Sequence, residues 1–183
     1  MGEQEKSMEL EIRRKVYNYI LRNPGLHERE LSRRLKISLS TLDYHLYFLK
    51  KRNLITGKAS GHYTRYYTSG KIGLKEEKII SALRKKFPRK IIIFLLTEKA
   101  ATHKQICSHL GVAASTTSFH LKKLTDMKII SREETGRESN FKVVNPDHVT
   151  DIIISHKKSF LDDAVGRFVD TWLELHPRNI KKK

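Results

Sequence analysis

The chain has 183 residues, more than one minimal binding module needs and enough for two small domains. Its 37 lysines and arginines outweigh 20 acids, giving a formal charge of +17 and a pI near 10.0, a balance that favours polyanionic partners, nucleic acid before an anionic membrane surface. The longest apolar run, residues 91–96, is too short for a spanning helix, which needs about 20 residues. The mixed charges Glu3, Glu5, Lys6, Glu9, Glu11 and Arg13 give no export signal, and Cys107 has no second cysteine to pair with. A cytoplasmic location is expected, and abundant Lys, Glu and Ile with few Gln and Cys is a thermophile-like balance.

In chain order, Ile12, Val16, Tyr19 and Ile20 recur at helical spacing until Asn23-Pro24-Gly25 stops the helix. Residues 27–35 form a short second helix with Leu31 and Leu35 inward, Lys36-Ile37-Ser38 makes a tight link, and a third helix capped by Ser38 or Ser40 runs to about Arg52. Two strands, 54–56 and 63–67, flank a turn at Ala59-Ser60-Gly61-His62. Helix, helix, turn, helix and hairpin make a winged helix. A linking helix over 75–86 follows, closed by Phe87-Pro88, and the pattern then returns with helices at 89–98, 102–110 and 115–128 and a hairpin turning at Thr135-Gly136-Arg137.

The return is a repeat. His45 and His120 stand 75 residues apart in similar strings, and the same offset pairs Val16 with Ile91, Ile20 with Leu95, Leu31 with Ile106, Leu35 with Leu110, Leu49 with Leu124, Ile55 with Ile130 and Tyr66 with Phe141 without a gap. The expected fold is mainly α with small β-hairpin wings. Its domains are a winged helix over 8–70, a second over 74–146 and a long C-terminal helix over 147–177.

Asn23-Pro24-Gly25-Leu26-His27 with Arg29-Glu30-Leu31, Ser40-Thr41-Leu42 with Tyr44-His45-Leu46, and Gly61 with Arg65-Tyr66-Tyr67 resemble archaeal winged-helix regulators of the ArsR and MarR-like type. The tandem arrangement is similar to archaeal regulators with two helix-turn-helix domains, over about residues 10–145. The resemblance implies a sequence-specific DNA-binding transcriptional regulator, activator or repressor, with double-stranded DNA and the basal transcription machinery as partners. No Gly-rich phosphate loop, paired-carboxylate site or nucleophile-base motif points to an enzyme, and no cofactor is expected. The rival readings are a winged-helix interaction subunit of a transcription, replication or RNA-processing complex, and a non-specific chromatin protein.

On a wheel of about 100° per residue, Leu42, His45, Leu46 and Leu49 share one side of the third helix and Ser40, Asp43, Tyr44, Tyr47 and Lys51 the other. Outward residues in the first turns of such a helix reach base edges, and exposed aromatics there need a covering surface. The expected DNA contacts are Arg33, Arg34, Ser38, Ser40, Thr41, Asp43, Tyr44, Tyr47, Lys51, Lys58, His62 and Arg65 in the first copy, and Ser115, Thr117, Ser118, Lys122 and Lys123 in the second. The first copy is expected to dominate: residues 26–68 hold nine basic residues and three acids, residues 101–143 seven and four. His45 and His120 read as packing or phosphate-contacting residues, and His103 with Cys107 falls short of a metal site. After Asn145-Pro146-Asp147, apolar residues recur at three- and four-residue steps, which predicts one helix about 43 Å long at about 1.5 Å per residue. Ile153, Phe160, Val165, Phe168 and Trp172 are its expected homodimer stripe.

Overall fold

The computed structural model describes residues 3–135, 138–160 and 163–175. It divides into two compact units, residues 1–81 and 82–183.

In the first unit α1 (Glu3–Arg22) ends where Asn23 caps back onto the Tyr19 carbonyl at 3.0 Å. A two-residue strand β1 (Leu26–His27), α2 (Glu28–Leu35), α3 (Leu39–Lys51), β2 (Ile55–Ser60) and β3 (Tyr63–Thr68) follow. The link between α2 and α3 is set by Lys36, left-handed at φ 56°, and by the Ser32 hydroxyl, which donates to the Ile37 carbonyl at 2.6 Å. Ser38 then caps α3 by accepting from the Thr41 amide at 3.2 Å. The hairpin turns at Gly61-His62, with Gly61 at φ 66°, a left-handed first turn position that favours glycine. The sheet order is β1-β3-β2, so β3 is central. The short strand β1 had no sequence signal, since two residues carry no period.

Leu31, Leu35, Leu42, Leu46 and Leu49 bury against Val16 and Ile20 of α1 and against Ile55 and Tyr66 of the sheet. The start of α4 (Leu74–Leu83) covers the far side of this sheet, with the Tyr67 hydroxyl donating to the Glu77 carbonyl at 3.4 Å. Gly25 is left-handed at φ 75°, and a Cβ there would stand 2.9 Å from Ile80, so two independent constraints require glycine.

The second unit repeats the plan with α5 (Lys86–Glu98), β4 (Ala101–Thr102), α6 (His103–Leu110), α7 (Ala114–Asp126), β5 (Ile130–Thr135) and β6 (Glu138–Val143), in sheet order β4-β6-β5. The register reproduces the sequence offset: Ser60 faces Tyr63 and Thr135 faces Glu138, while Leu26 faces Tyr66 and Ala101 faces Phe141. Left-handed backbone recurs likewise, at Lys36 and Gly111 and at Asn53 and Lys128. The caps differ. Thr102 and Gln105 form a reciprocal capping box on α6, but Ala113 starts α7 with no side-chain cap.

The C-terminal region corrects the expectation of one long helix. It is broken into α8 (Pro146–Ser155), α9 (Lys157–Phe160) and α10 (Asp163–Leu175). Arg84 holds the break: its guanidinium donates to the Ser159 carbonyl at 2.7 Å and to the Ser159 hydroxyl, and lies 4.8 Å from the Phe160 ring centre. Lys157 ties α9 to Asp170 of α10 at 2.6 Å. Ile153, Phe160, Val165 and Phe168, expected in a dimer stripe, are buried within the unit, and Trp172 is half-buried. The three- and four-residue spacing was real, but short helices folded back on one core produce it as readily as one long helix.

Candidate nucleic-acid interface

α3 is held by its inner side and offers the other. Leu42, His45, Leu46 and Leu49 are buried, whereas Ser40, Asp43, Tyr44, Tyr47 and Lys51 are exposed, Tyr47 by 65%. An apolar ring that open has no partner within its own unit. Arg13 of α1 stacks its guanidinium 3.6 Å from the Phe48 ring centre and 6.0 Å from Tyr44, adding a cation beside the aromatic pair that no local pattern could reveal. Ser38 and Thr41, expected to touch DNA, are engaged in the cap, their hydroxyl oxygens 2.8 Å apart.

At the start of α2, Glu28 lies against Asp43. Burial and then the Asp43 charge raise the Glu28 pKa above its usual value. The two acids form an acidic corner at the N-terminal end of the exposed face, where phosphate would be repelled and a base amino group would find an acceptor. This pairing was missed from sequence because the residues stand 15 positions apart.

The wing supplies cations. Lys58 and His62 are exposed on the hairpin and make no ion pair with a described residue. Tyr63 stacks on His27 with ring centres 4.7 Å apart, pinning the wing to α2. Two expected contacts are corrected here. Arg65 is buried, 5% exposed, and donates to the Gly25 carbonyl at 2.6 Å, because it stands on the central strand between β1 and β2. Arg34 is turned onto Glu30 of its own helix, whereas Arg33 points to solvent.

In the second unit Ser115, Ser118, Phe119, Lys122 and Lys123 are exposed on α7, and the Lys123 ammonium sits 4.3 Å from the Phe119 ring centre. Thr117 corrects the expectation: it is 0% exposed and its hydroxyl donates to the Ala113 carbonyl at 3.5 Å, since it occupies the register position of Leu42. His103 and Ser118 join α6 to α7 at 2.8 Å above a groove of about 830 Å³ that runs to Arg132 of the wing. That wing is internally neutralised, Arg132 with Glu134 at 3.7 Å and Lys142 with Glu133. Its tip residues Gly136 and Arg137 lie outside the described residues. The Cys107 sulfur is 3.6 Å from His103 Nδ1, and among the described residues no group of three or more metal-ligating side chains assembles.

A helix with an open face, locked by a turn to a shorter helix and flanked by a hairpin, defines a winged helix-turn-helix DNA-binding domain, and this chain carries two in tandem. The comparisons agree by unit: residues 9–56 match the winged helix-turn-helix DNA-binding family, and residues 88–132 the family described as bacterial regulatory protein, arsR family. An uncharacterized HTH-type transcriptional regulator of Methanocaldococcus jannaschii is 36% identical over 134 residues, which are 73% of this chain. The chain spans only 34% of that relative's length. Among solved structures, an ArsR family transcriptional regulator aligns over 46% of this chain and 87% of its own at 18% identity and a TM-score of 0.36. The endosomal complex ESCRT-II aligns over 79% of this chain and 64% of its own, at 13% identity and a TM-score of 0.33. No helix among the described residues is long and apolar enough to cross a membrane.

Proposed function

We propose that this protein is a sequence-specific transcriptional regulator that binds promoter DNA in the cytoplasm without catalysing a reaction, and that the first unit supplies most of the affinity. The open face of α3 carries this reading: Ser40, Asp43, Tyr44 and Tyr47 stand exposed in the first turns of a helix anchored by four buried residues, on a chain of charge +17. α3 enters the major groove with Ser40 and Asp43 toward base edges and Tyr44 and Tyr47 toward thymine methyls or sugar-phosphate, while Arg33, Lys58 and His62 hold phosphates on either side. Within the same reading, contact with the basal transcription machinery or occlusion of a promoter follows from where the site lies.

Binding-site selection with the full chain tests it. Enrichment of a discrete motif, lost or shifted by Tyr44→Ala, supports direct readout; uniform recovery of all sequences would place the protein among chromatin components instead. No recovery of DNA at low salt would favour the interaction-subunit reading, to which the exposed Leu39, Tyr44 and Tyr47 are also suited.

A further inference from the structure

The second unit holds a groove of about 1040 Å³ between α5, β6 and α10, away from the α7 face described above. Its floor is apolar, with Ile93 and Leu96 of α5, Val143 of β6, and Phe168 and Trp172 of α10. Around it stand Lys90, Lys99, Lys142 and Arg167, and among the described residues no acid lines it. Lys142 is paired with Glu133 of the wing, but Lys90, Lys99 and Arg167 make no ion pair with a described residue. His109, stacked on Phe94 at 4.1 Å, is held toward its neutral form by burial and then by Lys90, with Glu98 acting in the opposite sense. The cationic character of the rim therefore rests on its lysines and arginine.

We propose that this groove binds a small organic anion with an apolar body, in the manner of a medium-chain carboxylate, with its chain on the Phe168 and Trp172 floor and its carboxylate among the rim cations Lys90, Lys99 and Arg167. Apolar concave sites with a few convergent polar groups are the usual form of small-molecule sites. Charge decides against the other occupants. A second copy docked through a two-fold axis would set the same cations face to face. Residues 176–183 of the chain carry one arginine, three lysines and no acid, so their charge has the same sign as the rim. DNA phosphate would meet the cations but leave the aromatic floor unused.

Trp172 is the chain's single tryptophan and lines the groove, so its emission reports occupancy directly. The full chain is titrated with decanoate below its micellar concentration, with decyltrimethylammonium as the cationic counterpart. Saturable quenching or shift by decanoate is expected at ~1 mM or below. The apparent Kd should rise about tenfold in Lys90→Glu and in Arg167→Glu, and stay near wild type in Lys51→Glu, which carries the same charge change in the first unit. Circular dichroism checks that each variant is folded, and Lys90→Gln with Arg167→Gln repeats the comparison with milder changes. The proposal is overturned by no response to decanoate, by an equal response to the cation, or by equal losses in Lys51→Glu. It is also overturned if light scattering shows self-association that Leu175→Lys abolishes, which would assign the groove to a second copy.

Discussion

Arg65 and Lys58 face each other across the first hairpin, yet their environments give them different work. Removing Arg65 strands the Gly25 carbonyl in a buried place, so Arg65→Ala is expected to cost roughly 1–3 kcal/mol of stability, read by denaturant unfolding. Lys58→Ala is expected to leave stability unchanged, weaken DNA binding across all sequences and reduce the salt slope by about one. A slope unchanged in Lys58→Ala would remove the wing from the phosphate contacts. Four histidines carry a second prediction: His27, His45, His109 and His120 all have pKa values lowered from 6.5, in each case mainly by burial. A histidine kept neutral in the fold takes up its proton more readily when unfolded, so its contribution is present above pH 6.5 and is lost as pH falls below it. Unfolding free energy should drop between pH 7.5 and 5.5 and drop less in His45→Gln, with urea titrations at both values as the measurement. The outward set Ser40, Asp43, Tyr44 and Tyr47 was legible from helical spacing alone. Thr117 was misplaced because its polarity outweighed its register, though alignment with Leu42 already put it inside.

The helices α3 and α7 start differently, and the difference is measurable at the scale of the element. α3 has Ser38 as cap and α7 has Ala113 in similar backbone geometry, φ −59° against −55°. Ala113→Ser should therefore stabilise the second unit by roughly 0.5–2 kcal/mol, visible as a raised unfolding midpoint. At the other end, Ile153 is 0% exposed within the second unit, so Ile153→Ala should destabilise that unit by about 2–5 kcal/mol while leaving the oligomeric state as in wild type. A change in association without loss of stability would restore the stripe to a dimer interface. The helices and hairpins of both winged units were readable because period, stop signals and repeat agreed. The C-terminal break was not, since it depends on Arg84, 75 residues upstream of the Ser159 it binds.

For the whole molecule, the charge of +17 is unevenly useful. In the second wing Arg132 and Lys142 are matched by Glu134 and Glu133, whereas Lys58 and His62 in the first are unmatched among the described residues. Charge reversal at Arg33 and Lys58 should reduce DNA affinity more than reversal at Lys122 and Lys123, with anisotropy at two salt concentrations separating contact loss from screening. Equal losses would mean that both units share the load.

The unbroken 75-residue register between the copies also has a use in engineering. Positions 40, 43, 44 and 47 correspond to 115, 118, 119 and 122, and all eight are exposed on helices of the same 13-residue length. A transplant of one quartet onto the other helix replaces no buried side chain, which makes the pair an internal cassette system in which the Glu28–Asp43 and His103–Ser118 contacts are the ones to carry across.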